Sequence, residues 1–165
     1  MKKQTGVTIV ELLVVILVIG IFIAFFAPTI YSRTSNSARI TVTKQKMVQL
    51  RKAIVGDPEL ISGGEYVDAG FKGDNGRLPT NLMELVIKPP YPLADSWNSF
   101  TKHGWNGPYI RDDESHSFLL DAWGDSIKFL LNSNNDTIGL KSSGPDGEWY
   151  NNNPVISNDD IQLLF

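Results

Sequence analysis

From Val7 to Ala27 the chain is an apolar run with a single charge, Glu11, and the run begins directly after the leader Met1-Lys2-Lys3-Gln4-Thr5-Gly6. A helix of that length spans roughly 30 Å, the hydrocarbon thickness of a bilayer. Its apolar residues occupy every face, whereas a helix lying on a soluble core shows only a stripe. The run therefore predicts a membrane-spanning helix, and the rest of the chain must fold outside the bilayer. Lys2 and Lys3 precede it, which places the N-terminus in the cytoplasm and the body on the other side. A carboxylate inside a span is costly, so Glu11 must either take up a proton or meet a cation.

A secretory signal peptide carries a small-residue cleavage site after its apolar region. Pro28-Thr29-Ile30-Tyr31-Ser32-Arg33 has no such pattern. The better cleavage position lies before the run, between Gly6 and Val7, and a cut there keeps the apolar segment as the mature N-terminus. The new α-amine of Val7 would then lie at nearly the same depth as Glu11. A neighbouring copy staggered along an axis could present its amine to that carboxylate.

The 165 residues suffice for one domain and an appendage. The net charge of −3 becomes −5 without Lys2 and Lys3, and Lys and Arg are not clustered, which argues against nucleic acid as a partner. Cysteine is absent, so disulfides, thiolate metal sites and cysteine nucleophiles are excluded. His103 and His116 have no serine or metal-ligand partner in sequence, and no phosphate loop or zinc motif is present, so an enzyme is not expected.

Beyond Pro28 the pattern becomes amphipathic. Ile40, Met47, Leu50 and Ile54 recur at helical spacing, with Val48 and Val55 beside them and Arg39, Lys44, Lys46, Arg51 and Lys52 on the remaining surface. This predicts that the helix continues and packs on the body until Gly56-Asp57-Pro58 stops it. Residues 57–76 are rich in glycine and acidic side chains and predict a loop or irregular excursion. A short helix follows, capped by Asn81 with Glu84 as its reciprocal partner and buried through Leu82, Leu85 and Val86. The last third predicts a small antiparallel sheet, with strands at Tyr109-Ile110, Ile127–Leu131 and Thr137–Leu140 and a turn over 132–136. Trp97, Trp105, Trp123 and Trp149 all fall in this body, where packing accounts for them.

Oxygen donors are dense from Ser142 to Ile161, with Asp146, Glu148, Asn151, Asn152, Asn153, Asn158, Asp159 and Asp160. Calcium takes six to eight oxygen ligands, so this stretch is either a calcium loop or a solvated acidic turn. Asn132, Asn134 and Asp136 imitate the start of an EF-hand but lack its glycine and terminal glutamate. Asp112-Asp113-Glu114 reads as a solvated loop.

Gly6-Val7-Thr8-Ile9-Val10-Glu11-Leu12-Leu13-Val14-Val15-Ile16 resembles the class III signal of type IV pilins and type II secretion pseudopilins, with Gly20 and Pro28 also in the family's places. Gly76-Arg77-Leu78-Pro79-Thr80, Gly107-Pro108-Tyr109-Ile110, Asp121-Ala122-Trp123-Gly124 and Ser142-Ser143-Gly144-Pro145-Asp146-Gly147 follow in the order of the blocks of the major pseudopilins. Val7 (where phenylalanine or methionine is usual), Leu78, Ala122 and Pro145 depart from the pattern, and residues 56–73 look like an insertion.

The resemblance implies an α+β, pilin-like fold. Residues 1–6 would be the prepilin leader, 7–28 the transmembrane part of a long helix, 29–55 its amphipathic part and 56–165 a globular periplasmic domain. Prepilin peptidase would cut after Gly6 and methylate Val7, and Glu11 would serve assembly. The implied function is structural: a homo-oligomeric helical filament, the periplasmic pseudopilus, drawn from the inner membrane by an assembly platform together with minor pseudopilins. Type IV pilus subunit and membrane-anchored binding module or hydrolase remain the other classes. The resemblance also implies calcium in the C-terminal loop, with Asp146 and Asp160 as ligands and Leu140 and Ser143 as carbonyl donors. Asn151, Asn152, Asn153 and Pro154 stand where the family's loop is rich in glycine.

Overall fold

The computed structural model describes residues 8–62, 64–90, 94–149 and 159–165. Gly6 and Val7 lie outside them. Two compact units divide the chain, Met1–Ala38 and Arg39–Phe165.

One helix, α1, runs Ile9–Val55. Thr8 begins it: its carbonyl accepts from Leu12 N (3.2 Å) and its Oγ1 from Glu11 N (3.3 Å). Threonine is a favoured N-cap, because its hydroxyl satisfies an amide that the first turn leaves unpaired. In the first unit, residues 9–26 expose apolar side chains all round the helix, and Ile9–Phe26 has a mean hydropathy of 3.2.

In the second unit the residues of α1 from Arg39 onward form one wall of the core. Met47, Leu50, Ala53 and Ile54 are buried against Phe71, Leu82, Leu85, Phe118, Ile127, Leu140 and Ile161. The predicted stripe is the buried face, with Ile40 and Val55 at its margin and Val48 exposed. The helix stops where expected. Gly56 has φ +88° and donates to Lys52 O (2.8 Å), and a Cβ there would stand 2.4 Å from Asp68 O. A Cβ on Gly70, at φ +62°, would stand 2.4 Å from Gly56 N, so two glycines let the ends of the 57–69 excursion touch.

That excursion has more order than its composition predicts. It contains the antiparallel pair β1 (Ile61–Ser62) and β2 (Glu65–Tyr66), followed by α2 (Gly70–Asn75). Phe71, fully buried, anchors α2 to the core, and one aromatic in a glycine-rich window leaves no periodic signal.

The body's sheet has the order β3-β4-β5, all antiparallel, from Lys128–Leu131, Thr137–Ser142 and Ile161–Leu164. Two of the expected strands are β3 and β4, joined by the turn. There Asn132 Oδ1 accepts from the amides of Asn134 and Asp136 (both 2.8 Å) and Asn132 Nδ2 donates to Asp136 Oδ2 (3.0 Å), so these side chains serve the turn. Tyr109-Ile110 is not a strand. It follows a cis Gly107-Pro108 bond, and Tyr109 N donates to Leu85 O (2.7 Å) while its ring packs edge-on to Phe71 and Trp105. β5 is an addition: the terminal Ile161-Gln162-Leu163-Leu164 pairs with β4 from Ser142↔Ile161 to Gly139↔Leu164. The short helix after Asn81 is a 3₁₀ turn, Leu82–Leu85, and Asn81 Oδ1 does accept from Met83 N (3.0 Å). Glu84 does not complete a capping box on Asn81; its carboxylate takes Arg77 Nη2 (2.8 Å) and the amide and hydroxyl of Thr80.

Candidate functional site

Glu11 sits in the first turn of α1, three residues after the N-cap, and its surroundings on the helix are apolar and exposed. Thr8-Ile9-Val10-Glu11 has the spacing of a capping box, which is legible in sequence once the helix start is known. The described bond is one half of such a box, from Glu11 N to the Thr8 hydroxyl. A negative side chain in a first turn also suits the helix dipole. Neither role absorbs the cost of a carboxylate surrounded by lipid.

In the body, the four sequence blocks are junctions between elements. Asp121, buried, accepts from the amides of Trp123 and Asp125 (each 2.9 Å) and from Ser142 Oγ (2.7 Å). One carboxylate thereby ties the 121–125 turn to the end of β4. The next residue reaches the helix, because Ala122 N donates to Thr43 Oγ1 (3.1 Å). Lys46 completes this seam by donating Nζ to the carbonyls of Ser117 (3.0 Å) and Leu120 (2.9 Å). Nothing in the spacing of Thr43 and Lys46 could have announced these contacts, since their partners are more than seventy residues away.

The Gly76–Thr80 block works similarly. Arg77 pairs with the buried Glu84 at 2.8 Å and lies 5.1 Å from the centre of the Phe71 ring. In the next block the Tyr109 hydroxyl donates to Asp74 Oδ2 (2.9 Å) and accepts from Asn106 N (2.9 Å) and Asn75 Nδ2 (3.3 Å). Burial pushes Asp74 above the ordinary carboxylate value, and burial with the Asp74 bond pushes Tyr109 up to about 12. His116 is exposed and pairs with Asp112 Oδ2 at 2.7 Å. Asp113 caps Ser117, whose hydroxyl and amide hold that carboxyl well below the usual range. The Asp112-Asp113-Glu114 loop is thus a capped turn.

The C-terminal donors fall at the end of the β4–β5 ribbon. Ser142 faces Ile161 in register. The ladder ends there, since Ser143 turns into the αR region (φ −68°, ψ −10°), and a Cβ on Gly144 would stand 2.2 Å from Asp159 O and 3.6 Å from Asp160 N. Asp146 ends the 3₁₀ turn Gly144–Asp146, and its Oδ1 accepts from Glu148 N (2.9 Å). Leu140 sits mid-ladder between Phe129 and Leu163. Residues 150–158, including Asn151, Asn152, Asn153 and Asn158, lie outside the described ones. Among the described residues no three histidine or carboxylate groups converge. One observation does favour an ion: Ser143 Oγ is buried and meets no hydrogen-bonding partner among the described residues. Asp125, which spacing did not single out, brings Oδ2 to within 3.2 Å of a Cβ position on Gly147.

Residues 1–27 match the prokaryotic N-terminal methylation motif. The apolar helix and the small antiparallel body form an α+β fold of pilin-like kind, and the N-terminus carries a prepilin-type motif. Over most of its length the chain is similar to type II secretion system core proteins G. The protein of that name from Pseudomonas aeruginosa is 26% identical over 89% of this chain and 87% of its own length. The one from Vibrio cholerae is 28% identical over 90% and 85%, and the one from Klebsiella pneumoniae 27% identical over 98% and 94%. No solved structure matches the chain with comparable significance.

Proposed function

We infer that the chain is a structural subunit of a type II secretion pseudopilus, processed by prepilin peptidase. The observation that carries this is similarity to core protein G over nearly the whole chain, which includes the methylation motif of residues 1–27. The exposed Ile9–Phe26, apolar but for Glu11, is the membrane anchor and, after extraction, the surface that packs against neighbouring copies. Its N-terminus faces the cytoplasm and the body faces the periplasm, as the two leader lysines favour. Assembly draws on the inner-membrane platform and minor pseudopilins. No nucleic acid or catalytic step enters this role.

In the assembled form the methylated amine of Val7 from one subunit meets Glu11 of the next. Each charge neutralises the other in a medium that solvates neither, and loss of one partner strands its mate. The reading is tested by intact mass and N-terminal analysis of the membrane-extracted protein. Loss of Met1 to Gly6 with one methyl group on Val7 is expected; a retained leader would sink it.

Calcium belongs to the C-terminal loop in this reading. Asp146 and Asp160 would supply carboxylate oxygen, and Ser143, whose buried hydroxyl meets no partner among the described residues, adjoins Gly144, which abuts Asp159. Leu140 contributes at most a main-chain carbonyl from within the ladder. A calcium ion held there would offset the negative charge of these two carboxylates in the folded body. Chelation is expected to lower the melting temperature of the full-length protein in detergent, by the amount that an ion bound only to the folded state contributes. An unchanged melting curve removes calcium and leaves the filament reading standing.

A further inference from the structure

The excursion between α1 and α2 is held as a ribbon. Asp57 N donates to Asp68 O (3.2 Å) at its base, and Val67 N donates to Leu60 O (2.8 Å), which continues the β1–β2 ladder. Leu60 and Val67 therefore stand opposite each other, and they are 50% and 67% exposed. Residues 57–69 also carry four acidic residues, Asp57, Glu59, Glu65 and Asp68, and no basic one.

The adjoining part of α1 has the opposite balance. From Arg39 to Val55 it carries five basic residues and no acidic one. Lys46 is engaged on the carbonyls of Ser117 and Leu120, and Lys52 on Asp57 at 2.8 Å and Glu59 at 3.8 Å. Lys44 is exposed and meets no acidic partner among the described residues. On the same side of the helix lies a shallow groove of about 440 Å³, lined by Thr41, Lys44, Gln45, Val48, Gln49 and Lys52. Their spacing of three and four residues puts them on one face, with the exposed Val48 among them.

Hairpin and groove are complementary: an apolar pair with acidic neighbours, and a valine with basic ones. Each patch has one sign of charge, so neither can face its own twin across a twofold axis without repulsion. Pairing must run from the hairpin of one copy to the groove of another, and such a head-to-tail contact propagates. Lys44 lies eight residues before Lys52, about 12 Å along the helix. A second copy displaced by about that much would bring its hairpin to Lys44 as the first brings its own to Lys52.

We propose that the β1–β2 hairpin of one copy docks in the α1 groove of the next, with Leu60 and Val67 on Val48 and Glu59 beside Lys44. This rests on the filament reading above. The apolar Ile9–Phe26 stretch supplies the bulk of the packing between copies, and the hairpin contact sets their register.

The chain has no cysteine, so cross-linking reports the contact without background. Val48→Cys and Leu60→Cys are placed on separately tagged full-length copies and co-expressed, and the sheared filaments are oxidised and run without reductant. A dimer carrying both tags is expected, and neither variant alone should give one. In a second arm, Lys44→Glu or Glu59→Lys lowers filament yield roughly 10-fold through like-charge contact. Lys44→Glu combined with Glu59→Lys in one chain restores most of the yield, the mark of a direct pair. The melting temperature of the body stays near the wild-type value throughout, because both side chains are exposed. Filaments that give no mixed dimer, or a combined variant no better than the single ones, overturn the docking. A cross-link from Leu60→Cys to a different protein in place of the dimer does so too. A wild type that assembles no filament overturns the filament reading and the docking with it, and the wild-type arm alone reports that case.

Discussion

The residues of α1 from Ile9 to Phe26 and those from Arg39 to Val55 belong to one helix and meet opposite requirements. The first stretch is apolar on all faces, exposed throughout, and carries its one charge in the first turn. The second buries Thr43, Met47, Leu50, Ala53 and Ile54 within its own unit, keeps Arg39 and Lys44 exposed and turns Lys46 onto the carbonyls of Ser117 and Leu120. What separates them is periodicity. A stripe can be satisfied by one small domain, whereas an all-round apolar surface needs lipid or other helices on every side. Intramolecular folding thus draws on the second stretch, and assembly draws on the first.

That division can be broken from either end. Glu11→Ala is expected to abolish filament formation, because an unmatched Val7 amine in an apolar interface costs on the order of 3–5 kcal/mol. The melting temperature of the body should stay at the wild-type value. Sedimentation of sheared filaments alongside thermal unfolding in detergent checks both halves, and assembled filaments from the variant would refute the pairing. Leu50→Ala is the converse. Leu50 is fully buried, and removing it should cost about 2–5 kcal/mol of body stability, read by denaturant unfolding. Membrane insertion and leader cleavage should remain, since neither involves the core.

A smaller effect sharpens the seam between helix and sheet. Asp121→Ala leaves two amides and the Ser142 hydroxyl without their acceptor and should cost about 1–3 kcal/mol. Asp121→Asn keeps one oxygen and should lose less. If both variants melt like wild type, the Asp121-Ala122-Trp123-Gly124 block is not the junction described here.

The two stretches also differ in how much of them could be read from residues alone. Membrane solvation is a local property, so length and hydropathy sufficed for the span, and the stripe from Ile40 to Ile54 disclosed the buried face. Gly56 and Asn81 act through their own backbone neighbourhood and were equally plain. Tyr109-Ile110 has strand-forming residues, yet it spends its backbone on Leu85 and its ring on Phe71 and Trp105. β5 exists because β4 offers an edge, and Glu84 serves Arg77 and Thr80 rather than the cap that its spacing suits. Sequence offers Ser143 only as a carbonyl donor, whereas its buried, unpartnered hydroxyl is a product of tertiary packing.

The smallest expected effect concerns Asp74, which the body holds at a disadvantage when ionised. Burial raises its folded-state value above the usual 3.8, although the Tyr109 hydroxyl bond opposes the shift. A carboxyl raised on folding contributes stability below its unfolded value, and that contribution is lost as pH climbs through the folded one. Wild type should therefore lose this increment on going from about pH 4 toward neutrality. Asp74→Asn keeps an acceptor for Tyr109 and carries no charge, so that part of the pH dependence should vanish. Asp74 is partly exposed, and solvent screening keeps the gain at pH 7 to about 0.5 kcal/mol. Melting curves of both proteins from pH 4 to 7 decide the matter. A variant clearly less stable than wild type at pH 7 would show that the ionised Asp74 strengthens the Tyr109 junction by more than its burial costs.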